Sequence, residues 1–262
     1  MPLKEHKYKY NQGILKVYSN KKIKFVAMNV LRTKGIEEEK NITAKGTVNS
    51  EKLDENIIRA KSKIFELAFC NSWEWFGTFT LDKKKYNRYD LQKYHKDFSQ
   101  WIRDFNKKFN CHIKYLVIPE THKDGAWHMH GFIMGLPFEK LIEFTLKDKL
   151  PKKLIEKMQN GDHIYNWSDY AAKFGFCDFE RIRNEEAVSK YVTKYISKNL
   201  TESVKEINAH LFYHSRGLER AVEIKKGTIC EEIVPTYENE YCKVGWYDYN
   251  ELILEELCHK IL

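Results

Sequence analysis

His128 and His130 stand one residue apart in Trp127-His-Met-His-Gly-Phe-Ile133, an otherwise apolar run bounded by turn residues. Side chains of a β-strand alternate between faces, so both imidazoles emerge on one side, about 7 Å of chain rise apart. Two imidazoles so placed can close on one divalent metal. The competing reading is a pair of half-buried histidines packing a sheet. Upstream, Lys114-Tyr-Leu-Val-Ile-Pro-Glu120 is a second strand-like run, and Lys123-Asp124-Gly125 lies between the two as a hairpin turn. A three-residue loop with Gly125 in the left-handed region pairs His122 with Ala126 and sets Glu120 opposite His128. A two-residue Asp-Gly turn would set Glu120 opposite Met129, on the wrong face, because one step of register flips every side chain. We take the three-residue loop, which makes Glu120 a third ligand; a solvated hairpin position is its alternative. One carboxylate and two imidazoles leave coordination positions for substrate oxygens, as a catalytic site requires.

A second chemical pattern is Tyr191-Val-Thr-Lys-Tyr195-Ile-Ser-Lys198. Within a helix, Tyr191 and Tyr195 are neighbours on one face, and Lys194 and Lys198 form a parallel row beside them. A phenol with a pKa near 10 is a poor nucleophile at neutral pH. Beside a metal and an ammonium group, both its phenolate and a phosphorane charge are stabilised. Two tyrosines presented together could perform two successive transfers; two tyrosines packed on a sheet beside solvated lysines is the plainer alternative.

The elements that must position these groups follow from periodicity. Residues 14–30 read as two strand-like pieces around a turn at Ser19-Asn20, and 33–50 as polar loop. Ser50 to about Cys70 fits a helix with Ser50 as N-cap. Trp75 to Leu81 alternates as a strand, and Lys83 to Asp90 is a basic, aromatic loop. Leu91, Tyr94, Phe98, Trp101, Ile102, Phe105 and Phe109 mark an amphipathic helix whose stripe is plain core. The hairpin 113–134 follows. Pro137 and Pro151 each open a helix-prone stretch, the second running to Asn160-Gly161. Phe174 to Phe179 reads as a strand, and Glu185 to Asn199 as a helix with acidic residues early and lysines late. Strand, helix, hairpin, strand, helix suggests an α+β fold, a central antiparallel sheet with its helices on one face.

Composition narrows the function classes. The 262 residues are 42% hydrophobic and 14% aromatic, enough for a packed core. The net charge of +8 is uneven: residues 1–35 hold nine Lys/Arg against Glu5, and 231–262 hold eight acidic residues against two lysines. A basic arm carrying Tyr8, Tyr10, Tyr18 and Phe25 suits a phosphate backbone with stacked bases, or is a solvated lysine-rich surface. Six scattered cysteines without a C-x-x-C pair argue against a zinc module or a disulfide framework, and for a reducing compartment. No membrane-spanning run, signal peptide or P-loop signature is present. The expectation is a cytoplasmic protein without a membrane partner, in the host cytoplasm if phage-encoded.

The combination of Phe76-Gly-Thr-Phe-Thr-Leu-Asp82, Glu120 with Trp127-His-Met-His-Gly-Phe132, and Tyr191-Val-Thr-Lys-Tyr-Ile-Ser-Lys198 resembles the three ordered motifs of HUH endonucleases. The doubled tyrosine is similar to the two-tyrosine rolling-circle replication initiators of small single-stranded DNA phages and related plasmids. Arg59-Ala-Lys-Ser-Lys-Ile-Phe-Glu-Leu-Ala and Ser215-Arg-Gly-Leu218 extend the likeness over about residues 50–220, with 1–49 and 221–262 as a basic and an acidic extension. Phe79 stands where many relatives carry Leu. The resemblance implies an RRM/ferredoxin-like fold, with His128 and His130 as ligands of Mg²⁺ or Mn²⁺ and Glu120 as the third ligand. It also implies a nick in single-stranded or origin DNA by Tyr191 or Tyr195, supported by Lys194 and Lys198. A 5′-phosphotyrosine and a free 3′-OH for a host DNA polymerase result, strand separation falling to a host helicase. Lys83, Lys84, Lys85, Tyr86, Arg88, Tyr89 and Arg216 are the candidate DNA contacts. The rivals are a transposase or mobilisation relaxase of the same superfamily, a non-catalytic nucleic-acid binder with an RRM-like sheet, and a zinc hydrolase, for which no water-activating base accompanies the pair.

Overall fold

A computed structural model describes residues 8–32, 50–184, 188, 191–192, 210–239 and 242–262. In chain order the elements are β1 (Tyr8–Tyr18), β2 (Lys22–Arg32), α1 (Ser50–Phe69), β3 (Trp75–Thr80), α2 (Leu91–Phe109), β4 (Lys114–Thr121) and β5 (Trp127–Met134). They continue with β6 (Leu141–Glu143), α3 (Lys152–Gln159), β7 (Ile164–Trp167), α4 (Ser168–Lys173), β8 (Cys177–Arg181) and β9 (Tyr213–His214). The last are β10 (Val222–Thr228), β11 (Tyr237–Glu238), β12 (Cys242–Asp248) and α5 (Glu251–His259). The fold is α+β, and every paired strand is antiparallel.

The chain divides into two compact units. Met1–Thr47 and Glu219–Leu262 form one, holding a five-stranded sheet in the order β10-β1-β2-β12-β11. Its core joins Leu15, Ile23 and Phe25 to Ile233, Leu257 and Ile261. Phe25 is fully buried there, and Tyr18 is buried with its ring edge-on to Trp246 at 5.1 Å. Neither is a platform for bases, as the sequence of the basic arm suggested; Tyr10 remains exposed. The C-terminal acidic stretch supplies β11, β12 and α5 to this unit.

Val48–Leu218 form the other unit, around a seven-stranded sheet in the order β6-β7-β8-β3-β5-β4-β9. Helices cover both faces of this sheet, not one. α2 sets Leu91, Tyr94, Phe98, Ile102 and Phe105 against Phe79, Val117 and Met129. α1 sets Ile57, Ile64, Leu67 and Ala68 against Phe76, Leu116, Ile118 and Phe132, which alternate with the first set along the same strands. The reason lies in β4 and β5, which carry large apolar residues on both faces, so that each face needs its own cover. Burying one such Leu or Phe contributes roughly 1.5–3 kcal/mol. α2 is fixed at its start by Asp90, whose carboxylate accepts from Lys93 N, and ends at Asn110 in the left-handed region.

Two segments depart from their sequence reading. After Pro137 the chain makes one 3₁₀ turn, Phe138–Lys140, and then β6, which pairs with β7; strand pairing outweighs the local helix preference there. The strand expected at 174–179 starts later, at Cys177. Residues Phe174 and Phe176 instead accept from Asp82 N and Thr80 N, extending the join to β3.

Candidate metal centre and nucleophile

The β4–β5 hairpin closes through the three-residue loop. His122 N donates to Ala126 O at 2.9 Å, Gly125 N donates to His122 O at 2.9 Å, and Gly125 takes φ 81°. A two-residue type I′ turn would put Asp124 as well as Gly125 in the left-handed region; only Gly125 is there, and the Asp124 side chain accepts from Ala126 N at 3.1 Å. The register then runs Glu120 to His128 and Ile118 to His130. On the other side of β5, Thr80 meets His128 and Thr78 meets His130. Gly131 permits β4 to approach β5 closely: a Cβ there would lie 2.0 Å from Leu116 O.

Glu120, His128 and His130 offer donor atoms that all lie within 4.8 Å of one another, close enough to hold one cation. Glu120 Oε2 is 3.2 Å from His130 Nε2 and 3.5 Å from His128 Nε2. His128 is buried, and its ring stacks on that of His122 at 4.0 Å, which fixes its plane. Partial burial pushes the Glu120 carboxyl up, but hydrogen bonds and charge from His128 and His130 outweigh it and hold the group well below the usual range. A carboxylate kept ionised between two Nε2 atoms is the donor set a divalent cation takes. The residues present therefore fit a metal.

Tyr191 lies beside this centre. Val188, Tyr191 and Val192 are helical, and both valines are buried in the α1-side core. The Tyr191 ring stacks on Phe76 at 3.8 Å with planes 6° apart, and Phe76 is parallel to His130 at 6.5 Å between centroids. One phenyl ring thus connects the tyrosine to a triad imidazole. The Tyr191 hydroxyl donates to Glu180 Oε2 at 3.4 Å, and Glu180 is also ion-paired with Lys157. Burial, followed by the Glu180 charge, pushes the phenol up to about 12. Asp178 joins the same face, opposite Thr78, whose hydroxyl donates to it at 3.3 Å. Burial pushes its carboxyl up to about 7.

Tyr195, Lys194 and Lys198 lie outside the described residues. The candidate DNA contacts separate into two groups. Tyr86 donates to Asp97 at 2.6 Å and packs against the core, and Arg88 is paired with Asp124 at 3.1 Å. The main chain of Arg88 also accepts from Trp127 N, so that loop anchors the start of β5. Lys85 donates to Ala171 O. Lys83, Lys84, Tyr89 and Arg216 are exposed. Sequence reasoning passed over Glu180, Asp178 and Lys157. The signal for the two acids was present: in Cys177-Asp-Phe-Glu-Arg181 the carboxylates alternate with apolar residues, so a strand places both on one face.

Residues 74–200 match the family model for replication-associated protein ORF2/G2P, a span that holds β3, the triad and both tyrosines. That match supports a replication-associated role. No curated protein and no solved structure matches the chain. No described helix is long and apolar enough to cross a membrane.

Proposed function

We propose that this protein initiates rolling-circle DNA replication by nicking one strand at an origin and later rejoining it. The observation that carries this is the position of Tyr191, joined through Phe76 to an imidazole of the Glu120–His128–His130 triad. Those three residues would hold a Mg²⁺ or Mn²⁺ ion, which would supply Lewis-acid polarisation of a phosphate oxygen.

The chain's own groups do the rest. The phenol oxygen of Tyr191 attacks the scissile phosphorus, forming a Tyr–O–P bond as the P–O3′ bond breaks. The 3′ oxygen leaves and takes up a proton, and the phenolic proton passes to Glu180, the acceptor at which the hydroxyl already points. Lys157 holds Glu180 in place. Lys194 and Lys198 stabilise the developing charge, and Tyr195 serves the second cut, at the regenerated origin, whose released 3′-OH attacks the first phosphotyrosine, breaks its Tyr–O–P bond and closes the displaced strand into a circle. The exchange conserves one phosphodiester bond for another, so no nucleotide cofactor is needed. The free 3′-OH serves a polymerase, and a separate helicase opens the duplex.

The test is incubation with Mn²⁺ and a pool of randomised single-stranded oligonucleotides, followed by denaturing electrophoresis. A protein–DNA adduct that survives denaturation and disappears in the Tyr191→Phe/Tyr195→Phe protein is expected. Tight binding with no adduct would instead assign the chain to the non-catalytic binders.

A further inference from the structure

A cavity of about 710 Å³ lies between α2, the start of β4 and β9, and it has no part in the chemistry above. Four cations line it, Lys96, Arg103, Lys114 and Arg216, and no carboxylate does. Among the described residues none of the four is in an ion pair; Lys114 donates to Gly217 O at 2.7 Å and Arg103 to Gln100. Lys96, Ser99, Arg103 and Asn106 recur at spacings of three and four, a polar stripe beside the apolar stripe that α2 buries. An unneutralised cluster of like charges destabilises a chain unless something anionic answers it. A second cavity of about 540 Å³ shares His95 and His214 with the first and adds Arg59, Lys63 and Phe212, again without a carboxylate. His95 is wall, not charge: its ring stacks on Tyr213 at 3.7 Å, and burial pushes it down to about 4.

We infer that these joined cavities form a DNA-anchoring groove, separate from the metal centre, that grips the phosphates of a single strand along the β9 edge of the sheet. Two observations select a strand over a small anion. The cations continue from one cavity into the next, and the aromatic side chain of Phe212 lies under Lys63 Nζ at 5.7 Å, combining charge with a stacking surface. Lys114 and Glu120 are six residues apart on one strand, about 20 Å, so a phosphate in the groove cannot also sit at the triad. The groove therefore holds DNA flanking the cut and keeps the nicked strand on the protein between the two transfers. This rests on the nicking reading.

The experiment measures binding of a mixed-sequence single-stranded oligonucleotide of about 30 residues, in EDTA so that no cutting occurs, as a function of salt. The Lys96→Gln/Arg103→Gln/Arg216→Gln protein removes three exposed cations, and Lys147→Gln/Lys149→Gln/Lys152→Gln removes three exposed lysines elsewhere. The groove variant is expected to bind at least about tenfold more weakly, with the salt slope reduced by about 2, as three lost contacts at 0.7 each require. The control variant should stay near wild type. Equal weakening of the two variants, or of neither, overturns the groove. Competition by free deoxynucleoside monophosphate at equal phosphate concentration also overturns it, by assigning the cavity to a small anion. Adduct formation by the wild type in Mn²⁺ is scored in parallel. Its absence defeats the nicking reading, whereas an adduct with unchanged binding by the groove variant defeats the groove alone.

Discussion

A phenol pressed against Phe76 and hydrogen-bonded to a carboxylate is harder to ionise than one in water, and Tyr191, pushed up to about 12, is almost wholly neutral at pH 7. In the proposed reaction its nucleophilicity would come from proton transfer during attack, not from a standing phenolate. Glu180→Gln keeps the size of the acceptor and removes its basicity, so adduct formation should slow by about 10²-fold, the low end for loss of a general base, with DNA affinity retained. An unchanged single-turnover rate would remove Glu180 from the proposal. Asp178 gives a readout in stability. Its folded value near 7 exceeds the ordinary 3.8, so the folded state binds this proton more tightly. Its stabilising contribution is therefore complete below about pH 4, falls as pH rises, and is lost above about 7. Asp178→Asn should flatten that slope and stabilise the metal-free protein at pH 8 by up to about 4 kcal/mol, read in denaturant titration. A variant less stable than wild type at pH 8 would contradict this. At this scale the triad was legible because two-residue alternation is a strict geometric rule. Glu180 was passed over because the expected strand stopped at Phe179, one residue short of it, whereas β8 runs on to Arg181.

The hairpin is the element on which the site depends. Its register rests on Gly125, where φ 81° disfavours any side chain though there is open space around it, and on Gly131, where space itself is lacking. Gly125→Ala should cost about 1–2 kcal/mol of stability, the usual penalty for an L-residue in the left-handed region, and leave nicking intact. Gly131→Ala would place a methyl carbon 2.0 Å from Leu116 O and 2.7 Å from Val117 Cα, so β4 and β5 must part. A loss of about 3 kcal/mol or more, with nicking abolished, is expected from denaturant titration and the adduct assay. Equal, mild effects of both changes would mean that the hairpin is not held this tightly. The elements most legible in sequence were those with strong local periodicity, α2 and the β4–β5 hairpin. β6, β7 and α4 were not, because strands of three and four residues and a six-residue helix owe their form to neighbours distant in the chain. The covering of both sheet faces also escaped, although Tyr115 to Ile118 is an unbroken apolar run that a half-solvated strand would not need.

For the molecule as a whole, the family match at residues 74–200 spans the three motifs that the sequence reading singled out. The partnership of the two chain ends in one sheet had no local signature, since it is a pairing between residues more than 200 positions apart, such as Lys24 with Trp246. The central portion should respond to metal as one cooperative body. Mn²⁺ at 100 times its dissociation constant should stabilise the wild type by about 2.7 kcal/mol and His128→Ala by almost none, while that variant retains DNA binding. Equal thermal shifts in both proteins would place the ion elsewhere. The most direct test of the whole account is peptide mapping of the trapped protein–DNA adduct by mass spectrometry. The account predicts phosphotyrosine at Tyr191 or Tyr195, formed with Mn²⁺ and not in EDTA. A covalent link to any other residue, or one formed equally well without metal, would contradict it.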